Sequence, residues 1–181
     1  MDLTEHTLSS ETVFAGRLLR VRRDTVRTPS GEATREVVSH PGAAAVVALL
    51  ADGTTVLVRQ HRYAVGRDLV EIPAGKLDAG ESPLDAARRE LAEEVALVSD
   101  QWTALGSIFP TVGYSDEVIH LFLAEDASAT AGAPDDGEHV VDVRMPFAEA
   151  VALARRGGFE DAKTALALLR ADAVLADRGG E

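Results

Sequence analysis

The chain has 181 residues, 46% of them apolar, and a mean hydropathy of +0.01, enough to bury the core of a globular domain. Its net charge of −12 excludes a general nucleic-acid binder and disfavours an anionic membrane surface. It has no cysteine, so disulfides and thiolate-bound zinc are excluded and a reducing compartment is indicated; the first residues carry no basic-then-apolar signal pattern, and the expected location is cytoplasmic.

In chain order, residues 1–11 read as a polar, frayed lead-in. Strands are expected at 12–14, at 18–26, where apolar and charged residues alternate, and at 34–39 after the turn Thr28-Pro29-Ser30-Gly31. Residues 43–50 are apolar throughout, the pattern of a strand covered on both faces, and Asp52-Gly53 turns the chain into a strand at 55–59. A strand at 68–72 leads into a glycine-rich loop at 73–75, and strands follow at 102–109 and 117–123. Residues 125–138, acidic with Ala, Gly, Ser and Pro, read as a long loop. A strand at 140–145 and helices at 147–156 and 161–175 complete the chain, which predicts a mixed α/β layered domain.

The most informative stretch is 75–97, GKLDAGESPLDAARRELAEEVAL. Ser82 is a helix cap, Pro83 suits the first helical position, and Asp85 faces free backbone N–H groups. Leu84, Ala87, Leu91 and Val95 recur at helical spacing, while Glu90, Glu93 and Glu94 crowd one side of the last turns. Carboxylates so close repel one another, and near a helix C-terminus the macrodipole adds to the cost. Either this is a solvated, salt-bridged face, or divalent cations with hard oxygen ligands offset the charge.

The spacing of Gly75, Glu81, Arg89, Glu90, Glu93 and Glu94 resembles the Nudix box of the Nudix hydrolases; a chance match to six specified positions is on the order of one in a million at average residue usage. One position departs, with Ala96 where the family usually has Gly. Further stretches, TREVVSHPGAAAVVAL, VRQHRYAVGRDLVEIPAG, TVGYSDE and EHVVDV, resemble the ADP-ribose pyrophosphatase branch. The resemblance implies an α/β/α sandwich with a mixed central sheet (41–181) and an N-terminal antiparallel strand extension (1–40) exchanged between the subunits of a homodimer. It implies hydrolysis of ADP-ribose to AMP and ribose 5-phosphate with Mg²⁺ or Mn²⁺, two or more ions.

Carried over residue by residue, the metal ligands would be Glu90, Glu94, the Ala74 carbonyl and Glu93, the last directly or through water. Gly75, Glu81 and Arg89 would be structural, with Arg89 paired to Glu81. Glu138 would be the general base, with Asp135 and Asp136 as competitors and Glu93 as a further catalytic group. Arg35 and Glu36 would lie near the nucleotide, Arg62 on phosphate, and Thr111 and Glu117 at the ribose end. Departures at Val70 and Val112, together with few aromatic residues (4%), leave another nucleoside diphosphate sugar or a dinucleotide as the alternative substrate. A non-catalytic nucleotide-sensing domain is the alternative of a different class. The five histidines form no zinc motif, and no Walker or GxGxxG loop occurs.

Overall fold

The computed structural model describes residues 2–130 and 140–179, and its first three strands form an antiparallel sheet in the order β1-β2-β3. These are β1 (His6–Ala15), β2 (Arg20–Thr28) and β3 (Gly31–Ser39). The expected lead-in is therefore corrected: residues 6–11 belong to β1, with His6 opposite Arg27 and Glu11 opposite Arg23. Every residue of β1 is exposed, so no apolar alternation marks the strand, and backbone pairing to β2 holds it. The β2–β3 turn is closed by the Thr28 hydroxyl, which donates to the Gly31 carbonyl at 2.9 Å. This sheet, with the rest of the chain up to Gly42 and the segment Phe109–Val118, makes one unit; within it Val38 N–H donates to the Tyr114 carbonyl at 2.7 Å.

The second unit, Ala43–Ile108 with the chain after Val118, holds an eight-stranded sheet. Its strands are β4 (Ala43–Leu50), β5 (Thr54–Arg62), β6 (Arg67–Glu71), β7 (Ala74–Lys76), β8 (Leu97–Val98), β9 (Gln101–Ile108), β10 (Ile119–Ala129) and β11 (Val140–Pro146). β4 runs parallel to β10 and antiparallel to β5 and β7, so the sheet is mixed. Its alternation decides the layering. Ala44, Val46 and Ala48 join Ala86, Ala87, Leu91 and Val95 of helix α1 (Pro83–Val95). Ala45 and Val47 join Ala150 and Ala154 of α2 (Phe147–Arg155) and Ala167, Leu168 and Ala171 of α3 (Ala162–Gly179). Successive residues of a strand point to opposite faces, so an all-apolar β4 is what a sheet covered by helices on both sides requires. The expected α/β/α sandwich is the observed fold of this unit.

The long loop expected at 125–138 is shortened at its start. Residues 125–129 continue β10, with Glu125 opposite Gln101 and Ser128 opposite Val98, across an irregularity where Asp126 takes φ +48°. These residues, of which only Ala127 is buried, carry no apolar alternation, which hid the strand from the pattern. No described helix is long and apolar enough to cross a membrane.

Candidate active site

The loop 73–82 and helix α1 bring the box residues together within the second unit. Ser82 caps α1, its hydroxyl accepting from Asp85 N–H at 3.2 Å, and Pro83 stands in the first turn. The buried stripe that docks α1 on the sheet leaves Glu90 (7% exposed) and Glu94 (4%) at the edge of the core, pointing back at the loop. Ala74 N–H donates to Glu94 Oε2 at 2.9 Å. A Cβ at position 75 would lie 1.8 Å from Glu90 Oε1, so only glycine lets this carboxylate reach the turn.

Arg89 ties the same parts together. Its Nε and Nη2 donate to the two oxygens of Glu81 at 3.0 and 2.9 Å, and Nη2 also reaches the Lys76 carbonyl at 3.0 Å. Its Nη1 donates to Glu90 at 2.7 Å and Glu93 at 3.0 Å. One guanidinium thus offsets three carboxylates that would otherwise repel. Arg89, then the Asp78 N–H, hold the Glu81 carboxyl down at about 2.

Do these residues suit a metal? Glu90 and Glu94 are four residues apart on one helical face, and the Ala74 N–H reaches Glu94; the two carboxylates are hard oxygen donors, which is the chemistry of Mg²⁺, Mn²⁺ or Ca²⁺. Gly75, lacking a Cβ, lets the Glu90 carboxylate lie against the loop. Glu93 is turned to Arg89 and partly exposed, and among the described residues no three acidic or histidine side chains already form a closed ligand set. The donor chemistry fits a hard divalent cation.

Arg62, also in this unit, is occupied on one side: Nε and Nη2 donate to the two oxygens of Glu71, each at 2.7 Å. Glu71 is 1% exposed and also contacts Lys163. Burial pushes the Glu71 carboxyl up, but Arg62 and Lys163 outweigh it and hold it low. This network was not among the sequence candidates. Glu71 and Lys163 are 92 residues apart, and nothing in the spacing of either pointed to the other.

The remaining candidates lie in the first unit. Arg35 and Glu36 line a pocket of about 290 Å³ together with Glu5, Tyr114 and Asp116. Arg35 forms a bidentate pair with Glu5, at 2.9 and 2.5 Å, and Glu36 stands 3.6 Å from Arg23. The Thr111 carbonyl accepts from Tyr114 and Ser115 N–H groups, and Glu117 lies 3.5 Å from His40 Nδ1. Among the few aromatic residues that could stack on a base, Trp102 is committed elsewhere: its ring packs edge-on against Phe122 and its N–H donates to the Ser99 carbonyl. Tyr63, Tyr114 and Phe14 are exposed. Glu138, Asp135 and Asp136 lie outside the described residues.

Ala96 ends α1 with φ 52° and ψ 42°, the left-handed conformation in which the family's usual glycine is free of strain.

Known proteins with this arrangement are close. The NUDIX domain matches residues 39–168, and the nucleoside diphosphate sugar hydrolase N-terminal domain matches residues 5–38. The chain is 37% identical over 169 residues to the ADP-ribose pyrophosphatase of Bacillus subtilis (strain 168), covering 92% of this chain and 91% of that protein. It is 42% identical over 163 residues to the ADP-ribose pyrophosphatase of Mycobacterium tuberculosis (strain ATCC 25618 / H37Rv), covering 86% and 78%. The crystal structure of an ADP compounds hydrolase superposes with a TM-score of 0.86 at 25% identity, covering 99% of this chain and 98% of that one. With six box positions present and both domains matched, the chain belongs to the Nudix family and is a Nudix hydrolase.

Proposed function

We propose that this hydrolase cleaves the pyrophosphate bond of ADP-ribose, giving AMP and ribose 5-phosphate. The observation that carries the reading is the Glu90 carboxylate lying where Gly75 lacks a Cβ, four residues before Glu94, which accepts from Ala74 N–H. The choice of ADP-ribose is supported by likeness over most of the chain to two ADP-ribose pyrophosphatases.

Nudix hydrolases use divalent metal ions; here we assign Mg²⁺ or Mn²⁺, two or more, to Glu90, Glu94, the Ala74 carbonyl and Glu93. A divalent cation held there offsets the charge of the diphosphate and acidifies water. The chain's own residues do the rest. Arg89 holds the loop to the helix through Glu81 and keeps the carboxylates from splaying apart. Arg62 presents a cation to the diphosphate. Glu138 takes the proton of the attacking water, with Glu93 as a further catalytic group. Arg35 and Glu36 meet the nucleotide, beside Tyr114 in their pocket, and Thr111 and Glu117 flank the ribose end.

A homodimer with exchanged N-terminal strands accords with the exposure of all of β1, including Leu8, Val13 and Phe14. The net charge of −12 supports a small-molecule substrate over nucleic acid, and the lack of cysteine accords with the cytoplasm.

The test is substitution. Glu90→Gln and Glu94→Gln keep the side-chain volume and an oxygen acceptor, so both variants should melt as the parent does. Turnover of ADP-ribose in Mg²⁺ should fall by about 10³-fold or more, the scale of losing a group essential to transition-state charge stabilisation. Near-parental rates from either variant would remove that residue from the metal site.

A further inference from the structure

The box is not the only feature of the second unit in which buried charges are brought to one place. The start of α3 contributes Asp161, Lys163 and Thr164, and all three bear on the strand that leads into the box. The Thr164 hydroxyl donates to Asp161 Oδ2 at 2.5 Å and accepts from Ile72 N–H at 2.9 Å. Asp161 caps the helix by accepting from Thr164 N–H at 3.0 Å. The Lys163 ammonium, 10% exposed, contacts Glu71 Oε2 and lies 3.0 Å from Asp161 Oδ2. Glu71 and Ile72 are thereby pinned to a helix N-terminus three residues or fewer before Ala74.

Glu71 is gripped from two sides, by Arg62 and by Lys163. A carboxylate shared between two cations neutralises neither completely. Arg62, whose side chain is 41% exposed, keeps its Nη1 outside the pairing with Glu71. Its positive charge is sustained by Glu71 first, against the cost of burial, with Asp161 and Glu94 adding to it.

We infer that Lys163 is a positioning residue for the diphosphate: by sharing Glu71 it fixes the direction of the Arg62 guanidinium and leaves it charge to offer a phosphate. This rests on the reading of Arg62 as the phosphate contact. Two further features favour a positioning role over simple packing. An ion-paired lysine buried to this degree is costly to desolvate, and an apolar residue would fill the volume more cheaply. The network also joins Arg62 to the end of β6 and to Ile72, two residues before Ala74, so one helix terminus fixes both Arg62 and the segment that leads into the box.

The experiment is a double-mutant cycle on the intact protein with ADP-ribose and Mg²⁺, reading KM and kcat separately. Lys163→Gln should raise KM about tenfold, the effect of losing one well-placed cation, with kcat within about threefold. In an Arg62→Ala background, Lys163→Gln should change KM by less than about twofold, because the route to the phosphate is already gone. Equal rises in KM in both backgrounds, or a fall in kcat with KM unchanged, would overturn the inference. Should Lys163→Gln fail to melt cooperatively, Lys163→Arg carries the test: KM within about threefold of the parent sustains the role, and a tenfold rise at a parental melting temperature contradicts it. A parent protein that does not hydrolyse ADP-ribose would sink the substrate reading and this role with it. Parental turnover with additive effects would sink only the role of Lys163.

Discussion

Two residues next to the box show how much a single Cβ decides. Gly75 has none, and the carboxylate of Glu90 occupies the place where one would sit. Ala96 has one and is held at φ 52°. The left-handed conformation costs an L-residue about 1–2 kcal/mol, against about 0.5–1 kcal/mol lost through the greater unfolded-state freedom of glycine. The balance favours glycine, so Ala96→Gly should stabilise the protein by about 0.5–1 kcal/mol and raise the melting temperature by about 1–4 °C. Calorimetry would check this, and a lower melting temperature would show that the Ala96 methyl contributes packing that outweighs the strain. In the sequence Ala96 is a departure from the family's glycine whose cost depends on whether the backbone there is right- or left-handed. Only the backbone angle separates them.

At the scale of elements, legibility followed burial. β4 was readable to its ends because eight apolar residues run without interruption, and α1 because Ser82 and Pro83 mark its start. β1 and the end of β10 were not: every residue of β1 is exposed and is ordered by its partner strand, and of residues 125–129 only Ala127 is buried. β7 and β8, three and two residues long, are too short to carry a period. The ion pairs around Glu71 were invisible because they join β5, β6 and α3 across 92 residues. The loop–helix element of the box, by contrast, has a local electrostatic signature that pH can test. The carboxyl of Glu81 falls from an ordinary 4.5 to about 2, through Arg89 first and the Asp78 N–H second. A group whose pKa is depressed on folding stabilises above its unfolded value and loses that contribution as pH falls through the folded one. The melting-temperature gap between the parent and Glu81→Gln should be full at pH 6 and close between pH 4.5 and about 2. A gap that does not change with pH would mean that the Glu81–Arg89 pair contributes nothing through charge.

At the scale of the whole molecule, each of the two units is held together by its own contacts. The core of the second unit holds α1 against β4 on one face and α2 and α3 on the other, so the box carboxylates and the Glu71 network each stand on packed elements. The candidates for nucleotide contact, Arg35, Glu36, Thr111 and Glu117, stand instead in the first unit. Their assignment came from resemblance alone, and that is why they were less legible than the box: no spacing rule links a residue in one unit to chemistry in the other. Every role assigned above depends on the hydrolysis of ADP-ribose itself. Incubation with ADP-ribose and Mg²⁺, followed by anion-exchange separation of the products beside parallel reactions with other nucleotide sugars, is the direct test. It should yield AMP and ribose 5-phosphate, faster than from any other sugar nucleotide tried and not at all in EDTA. Faster cleavage of another nucleotide sugar would contradict the substrate, and no AMP in either Mg²⁺ or Mn²⁺ would contradict catalysis and leave a nucleotide-sensing domain.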